Sequence, residues 1–201
     1  GLTYCPPFKY TNLTNLARTF QSNVYLEPNG WAHIPNQLDQ CTTLNTAFFQ
    51  ISNLASTPAE RQGFPQLITS NKLLDVINTF FGSYINGWIK ADGSATDKPF
   101  TDTSGVTRWD ACFNGCNLST IDVDTSAAEN LNSTFRDNLF VSFPPIYTRN
   151  CTSFDSTWAE NKSLTSFPSP SGAFMDFSNG KNFANAWKNC SALTIFPLID
   201  T

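Results

Sequence analysis

Phe183-Ala184-Asn185-Ala186-Trp187-Lys188-Asn189-Cys190-Ser191-Ala192-Leu193-Thr194-Ile195-Phe196-Pro197 is the stretch on which the fold of this chain turns. An apolar residue, Phe183, stands four places before an aromatic one, Trp187, and the residue just before Trp187, Ala186, is small. Residues spaced i, i+4 share one face of a short helix or helical turn. The small residue lets a neighbouring backbone come close. Leu193 and Phe196 then read as a short strand, closed by Pro197 because proline has no N–H to give to a ladder.

Outward from this stretch the same arrangement recurs. Seven aromatic anchors align, Phe20, Phe48, Phe80, Phe113, Phe135, Trp158 and Trp187. The residue before each is small: Thr19, Ala47, Thr79, Cys112, Thr134, Thr157 and Ala186. The residue four before each is apolar: Leu16, Leu44, Val76, Trp109, Leu131, Phe154 and Phe183. Successive anchors lie 28, 32, 33, 22, 23 and 29 residues apart. The shortest intervals fall among those of leucine-rich repeats. The longer ones read as the same coil with a loop inserted, since a repeat that touches only its neighbours tolerates insertions. A second apolar residue follows each anchor, as at Leu26, Leu54, Leu118, Phe140, Leu164 and Leu193. A third follows at Ile121, Phe143, Phe167 and Phe196, with Pro144, Pro168 and Pro197 next.

Asp-Thr-Ser recurs at 102–104 and 124–126, each Asp eleven residues before its anchor, and Asp200-Thr201 opens a third copy. Asp, Thr and Ser suit turns and caps, so these are read as caps rather than as a metal site. The chain is read as a fragment of a longer protein or as a processed mature chain.

Ala186-Trp187-Lys188-Asn189-Cys190-Ser191-Ala192-Leu193 and Cys112-Phe113-Asn114-Gly115-Cys116-Asn117-Leu118 resemble the leucine-rich-repeat subclass named for the bacterial surface protein BspA and for Treponema pallidum. Its unit carries a small-aromatic pair, a cysteine, a leucine and a strand ending in proline. The likeness is densest from Trp109 to Thr201. The tryptophan-anchored variant is similar to repeats in virion proteins of marine phages and in bacterial surface proteins. The resemblance implies an α/β repeat, a leucine-rich-repeat-like right-handed solenoid of about seven coils. Short strands would lie on one face and short helical turns on the other. The whole of 1–201 would form one solenoid domain, with irregular coils over 1–105 and regular coils over 106–201. It also implies surface-exposed binding or structural work without catalytic residues.

Composition agrees with a ring-filled core. Hydrophobic residues make up 40% and charged residues only 14%, with eighteen Phe and five Trp against one Met and one His. Such rings bury large areas. A net charge of -4 without a Lys/Arg run argues against nucleic acid as a partner, since phosphate binding needs a basic stripe. No apolar run is long enough to span a membrane.

Chemistry-bearing residues are few. His33 is the single histidine, and any Ser-His-Asp or Cys-His site would have to use it. It falls at a strand position of the first coil and is read as structural. Six cysteines lack the paired spacing of a zinc site. Cys116 and Cys190 share one place in the repeat, and Cys41 and Cys151 share another, but stacked equivalents several coils apart cannot meet. Most are expected as free, buried thiols, with Cys5–Cys41 left open as a disulfide. Asp122-Val123-Asp124 and the segment 91–102 are read as solvated turns rather than calcium loops. Asn-X-Ser/Thr sequons stand at Asn12, Asn117, Asn132, Asn150, Asn161 and Asn189; in so Asn/Ser/Thr-rich a chain they are given no weight.

No catalytic residue, metal or cofactor is assigned. Binding is placed on the inserted loops 83–100 and 169–180 or on the strand face. In the second loop Phe174, Met175 and Phe177 suggest an interface, because loops on rigid scaffolds carry function. On the strand face the candidates are Thr165, Ser166 and Thr194, with Ser119, Thr120 and Ser142, although small polar residues there also suit ladders between coils. The expected role is a non-enzymatic virion structural or attachment module, such as part of a phage fibre, appendage or decoration protein. A bacterial cell-surface adhesin is the alternative, and a carbohydrate-active enzyme domain a second one. Expected partners are other virion or surface subunits, or a host-surface receptor or glycan. The expected location is a virion surface or the cell exterior, and open stack ends imply assembly with neighbours.

Overall fold

The computed structural model describes residues 5, 10, 12–24, 33–51, 63–85, 87–169, 171 and 174–196. Leu26, Leu54, Pro197 and Asp200-Thr201 lie outside them. The chain passes repeatedly over itself in parallel. Asn15, Thr43, Asp75, Arg108, Asn130, Ser153 and Asn182 are joined in that order by parallel bridges. Each stands five residues before an anchor, so the rungs and the anchors repeat at identical intervals.

The segment around each anchor is where the passes are tied together. Phe20 N–H donates to the Ala47 carbonyl (2.9 Å), Phe48 to Thr79 (2.9 Å), Phe80 to Cys112 (2.9 Å), Phe113 to Thr134 (3.0 Å), Phe135 to Thr157 (3.0 Å) and Trp158 to Ala186 (2.9 Å). The residues two before and two after each of these six donors reach across in the same way, as Ser133 does to Asp155 and Asp137 to Ala159. Alternate N–H groups thus reach the next pass. Those between them close local turns, for example Thr134 N–H to the Leu131 carbonyl at 3.0 Å.

These segments are not the helical turns expected from i, i+4 spacing. Two residues in each carry a left-handed backbone. Before the anchors these are Arg18, Thr46, Asn78, Ala111, Ser133, Ser156 and Asn185; after them come Ser22, Gln50, Gly82, Gly115, Asp137, Glu160 and Asn189. A positive φ at the third residue of a turn is the type II geometry. Linked turns of this kind bring the residue four before the anchor to the same side as the anchor, as a helix would. They also free alternate N–H groups for the next pass, which a helix cannot. A non-glycine residue at positive φ is held there only by its surroundings, and the inter-pass hydrogen bonds supply that hold.

The core is a column of rings. Phe20, Phe48, Phe80, Phe113 and Phe135 stack face to face with centroids 5.6, 5.6, 5.8 and 6.1 Å apart, and Trp158 stacks on Trp187 at 5.2 Å. Opposite them Phe143, Phe167 and Phe196 form a second column at 6.0 and 6.1 Å.

Buried polar side chains line the column. Three residues after the anchor, Ser83, Cys116, Asn138, Asn161 and Cys190 each donate to the anchor carbonyl of the preceding pass: Phe48, Phe80, Phe113, Phe135 and Trp158. The small residue before the anchor does similar work. Thr79, Thr134 and Thr157 donate to the carbonyls of Leu44, Trp109 and Leu131. Buried polar groups without partners are costly, so these ladders fix the register of one pass on the next.

On the opposite side, extended structure is short. β1 (Phe64–Pro65) pairs in parallel with β2 (Trp88–Ile89), which pairs antiparallel with β3 (Ala95–Thr96). The insertion 83–100 folds back as this β2–β3 hairpin and delivers Trp88 to the core, where it is 2% exposed. Further along, Ser142, Ser166 and Ile195 form parallel bridges. One close approach needs glycine: a Cβ at Gly105 would lie 2.1 Å from the Asn71 carbonyl oxygen.

Candidate functional site

The loop 169–180 does not present all the side chains expected of it. Met175 and Phe177 are buried, at 0% and 1% exposure. Phe177 packs edge-on against Phe154 and Trp158 at 5.1 and 6.2 Å, and the Met175 sulfur accepts the Ile146 N–H at 3.4 Å. These two residues belong to the core, which withdraws them from any interface. Phe174 remains half-buried, its ring stacked on Tyr147 with centroids 4.2 Å apart. On the strand face Thr165 is exposed, but its hydroxyl donates to the Val141 carbonyl at 3.0 Å. Ser166 takes part in the bridges to Ser142 and Ile195. Both serve contacts between passes. Thr194 is exposed beside Ile195, which is 70% exposed.

Phe174 and Tyr147 form one wall of a cleft of about 390 Å³. Lys98, Asp102, Asp122 and Asp124 stand along it. Asp102 and Asp124 occupy equivalent places in adjacent passes and are built alike. One carboxylate oxygen of Asp102 accepts the Ser104 N–H (2.9 Å) and hydroxyl (2.7 Å); one of Asp124 accepts the Ser126 N–H (2.8 Å). Each Asp therefore closes its own turn, as expected of a cap. The threonine between has a further use. Thr103 and Thr125, both buried, donate to the carbonyls of Asp124 (2.8 Å) and Tyr147 (2.6 Å) in the following pass. Thr148 does the same to Asp176 (2.8 Å). The Asp-Thr-Ser element is a turn whose middle residue ties the passes together.

Asp176 is the same turn two repeats after Asp124, with Tyr147 at that place in the pass between them, and accepts the Ser178 N–H at 3.0 Å. Its other oxygen accepts Arg149 Nε at 2.8 Å. Hydrogen bonds from Ser178 and then Arg149 hold its carboxyl down at about 2. In the cleft, Asp122 is paired with Lys98 at 3.4 Å. Asp102 and Asp124 have no cation of their own among the described residues.

The thiols offer no nucleophile. Cys41, Cys112, Cys116, Cys151 and Cys190 are free and buried, so Cys41 forms no disulfide with Cys5, whose thiol instead donates to the His33 carbonyl at 3.4 Å. Burial pushes Cys116 and Cys151 up to about 12 and Cys41 up to about 11. Only a thiolate reacts readily. We expect Cys112, Cys116 and Cys151 to resist iodoacetamide at pH 8 in the native chain and to be alkylated in guanidinium, as read by intact mass. Fast native labelling of any of the three would contradict this core.

Sequence reasoning assigned Asp102 and Asp124 to turns and overlooked Lys98 and Tyr147 as site residues. For Tyr147 the usable signal is the fixed offset of eleven residues from its anchor, an offset that Lys98 does not share. Asp176 shares that offset but is hidden in Met175-Asp176-Phe177.

No protein-family model matches the chain, and neither the curated proteins nor the solved structures contain a match. Among the described residues no helix is long and apolar enough to cross a membrane, and none of their His, Cys, Asp and Glu side chains gather in a group of three suited to a metal ion.

Proposed function

We propose that this chain is a non-enzymatic surface-presenting module, a leucine-rich-repeat-like solenoid that works as a structural or attachment part of a virion. One observation carries the reading. At each junction from the Phe48 and Phe80 passes onward, polar side chains beside the anchor are spent on neighbouring carbonyls: hydroxyl, thiol and amide groups from Thr79 to Cys190. Such a chain builds a rigid support, and contact is left to its surface. The low charge and the Asn, Thr and Ser content suit an assembled exterior part, and a cell-surface adhesin would be built in the same way.

A second reading, a carbohydrate-active enzyme, draws on the carboxylates beside Tyr147 and Phe174. Asp102 and Asp124 each commit one oxygen to their own turn, which suits a support better than a proton shuttle.

Mass spectrometry of purified virus particles and of the cell-envelope fraction tests the setting. We expect the chain at fixed copy number in the particles. Enrichment in the envelope instead would turn the assignment to the adhesin, and turnover of a glycan abolished by Asp102→Asn would overturn the non-enzymatic reading.

A further inference from the structure

We propose that the cleft between Asp102, Asp124, Tyr147 and Phe174 takes a basic side chain, arginine or lysine, from a protein partner. The inference rests on the reading of the chain as a surface-presenting module and names what one part of that surface recognises.

The chain carries its own precedent. In the Asp-Ser turn of Asp176, one carboxylate oxygen holds the turn and the other receives the guanidinium of Arg149 at 2.8 Å. Arg149 stands nine residues before the anchor of its own pass and reaches the Asp of the next; in the passes that precede Asp124 and Asp102 this place is held by Ser104 and Asn71. Neither serine nor asparagine carries a charge with which to do this work. The turns of Asp102 and Asp124 therefore have the same outward oxygen without a cation from the preceding pass. The nearest cation in the cleft, Lys98, is engaged by Asp122 at 3.4 Å.

Two adjacent carboxylates of one sign favour a cation from outside. The aromatic pair adds to this. Tyr147 and Phe174 are half-buried and stacked on each other, so one further planar or cationic group is accommodated against the wall they form. Cations are attracted to the faces of such rings, and a guanidinium presents its donors as a fork that matches a carboxylate. Pro145 and Val123 line the same cleft and suit the methylene stem of arginine or lysine.

The test uses the 201-residue chain and the peptide acetyl-Arg-Gly-Arg-amide, with acetyl-Gln-Gly-Gln-amide and maltotriose as controls. Amide shifts in the NMR spectrum report binding. We expect the arginine peptide to shift residues around 102, 124, 147 and 174 and the glutamine peptide to leave them unmoved. D102N/D124N keeps the oxygen that accepts from Ser104 and Ser126, so the turns persist. It should weaken binding by about tenfold, the combined worth of two exposed charge contacts. Tyr147→Leu should weaken it about threefold through the lost ring contact, and raising salt should weaken it further. An arginine peptide that does not bind, or binds D102N/D124N unchanged, overturns the proposal. So does maltotriose occupying the cleft with the arginine peptide excluded. Any of these results leaves the module reading standing, since that depends on where the chain is found.

Discussion

Phe113→Ala is expected to lower the free energy of unfolding by about 3–5 kcal/mol, the usual cost of deleting a buried ring. Phe113 is fully buried in the middle of the ring column, between Phe80 at 5.8 Å and Phe135 at 6.1 Å. Trp88, Phe100 and Trp109 also lie against it at 6.1 to 6.3 Å. Domains are stable by only about 5–15 kcal/mol in total, so a large share is lost. The loss also falls at a junction. A pass that contacts only its neighbours transmits order only through them, so the variant should divide into two less cooperative halves. Urea unfolding followed by tryptophan fluorescence reads both effects, as a lower midpoint and a shallower slope. Thr194→Ala, at an exposed position, should change stability by less than about 0.5 kcal/mol. A loss below about 1 kcal/mol at Phe113 would mean that the rings do not carry the stack.

Stability should fall steeply in alkali. Burial raises the thiols of Cys41, Cys112, Cys116, Cys151 and Cys190 above their ordinary 9.0, with Cys116 and Cys151 at about 12. A group whose value is raised by folding contributes fully below its unfolded value and loses that contribution as pH climbs through the folded one. The unfolded thiols ionise near 9 while the folded ones stay protonated, so the window runs from about 9 to about 12. Each unit of separation is worth about 1.4 kcal/mol, and several thiols act together. The melting temperature should be level up to about pH 8.5 and drop continuously above it. Cys116→Ser should lessen the drop. Ser83 makes the same bond from the same place in the repeat, so serine fits there without an ionisable thiol. A melting temperature at pH 10.5 equal to that at pH 8 would refute the thiol account.

The register of the passes was legible in the sequence because it rests on large, unambiguous residues. Phe113 or Trp187 beside a small neighbour is visible in one line of text, and the bridges from Asn15 to Asn182 follow the same intervals. The backbone of the anchor segment was not legible. Spacing i, i+4 is common to a helical turn and to two linked turns, and the left-handed positions carry Arg18, Thr46 or Ala111 rather than a row of glycines. What selects turns over helix is the neighbouring pass, which a local pattern does not contain.

The same limit applied to the site. Met175 and Phe177 were read as surface residues from their place in an insertion, whereas the insertion dips into the core between Phe154 and Phe183. The cysteines sharing a place in the repeat were noticed, yet their bond to the preceding carbonyl emerged only beside Asn138 and Asn161 at the same place.

The tie between passes has a direction. From four residues before each anchor to two after it, the crossing N–H groups point from the earlier pass to the later one, from Phe20 to Ala47 and onward to Trp158 and Ala186. Aligned peptide groups add their dipoles, as they do in a helix, but here the sense is reversed. The N–H groups of Phe183, Asn185, Trp187 and Asn189 face onward with no partner among the described residues, so the electropositive pole lies toward the C-terminal side. Lys181 and Lys188 are exposed on that same pass. The anchor segments thus give every pass the same electrical sense, N–H toward the following pass and carbonyl toward the preceding one.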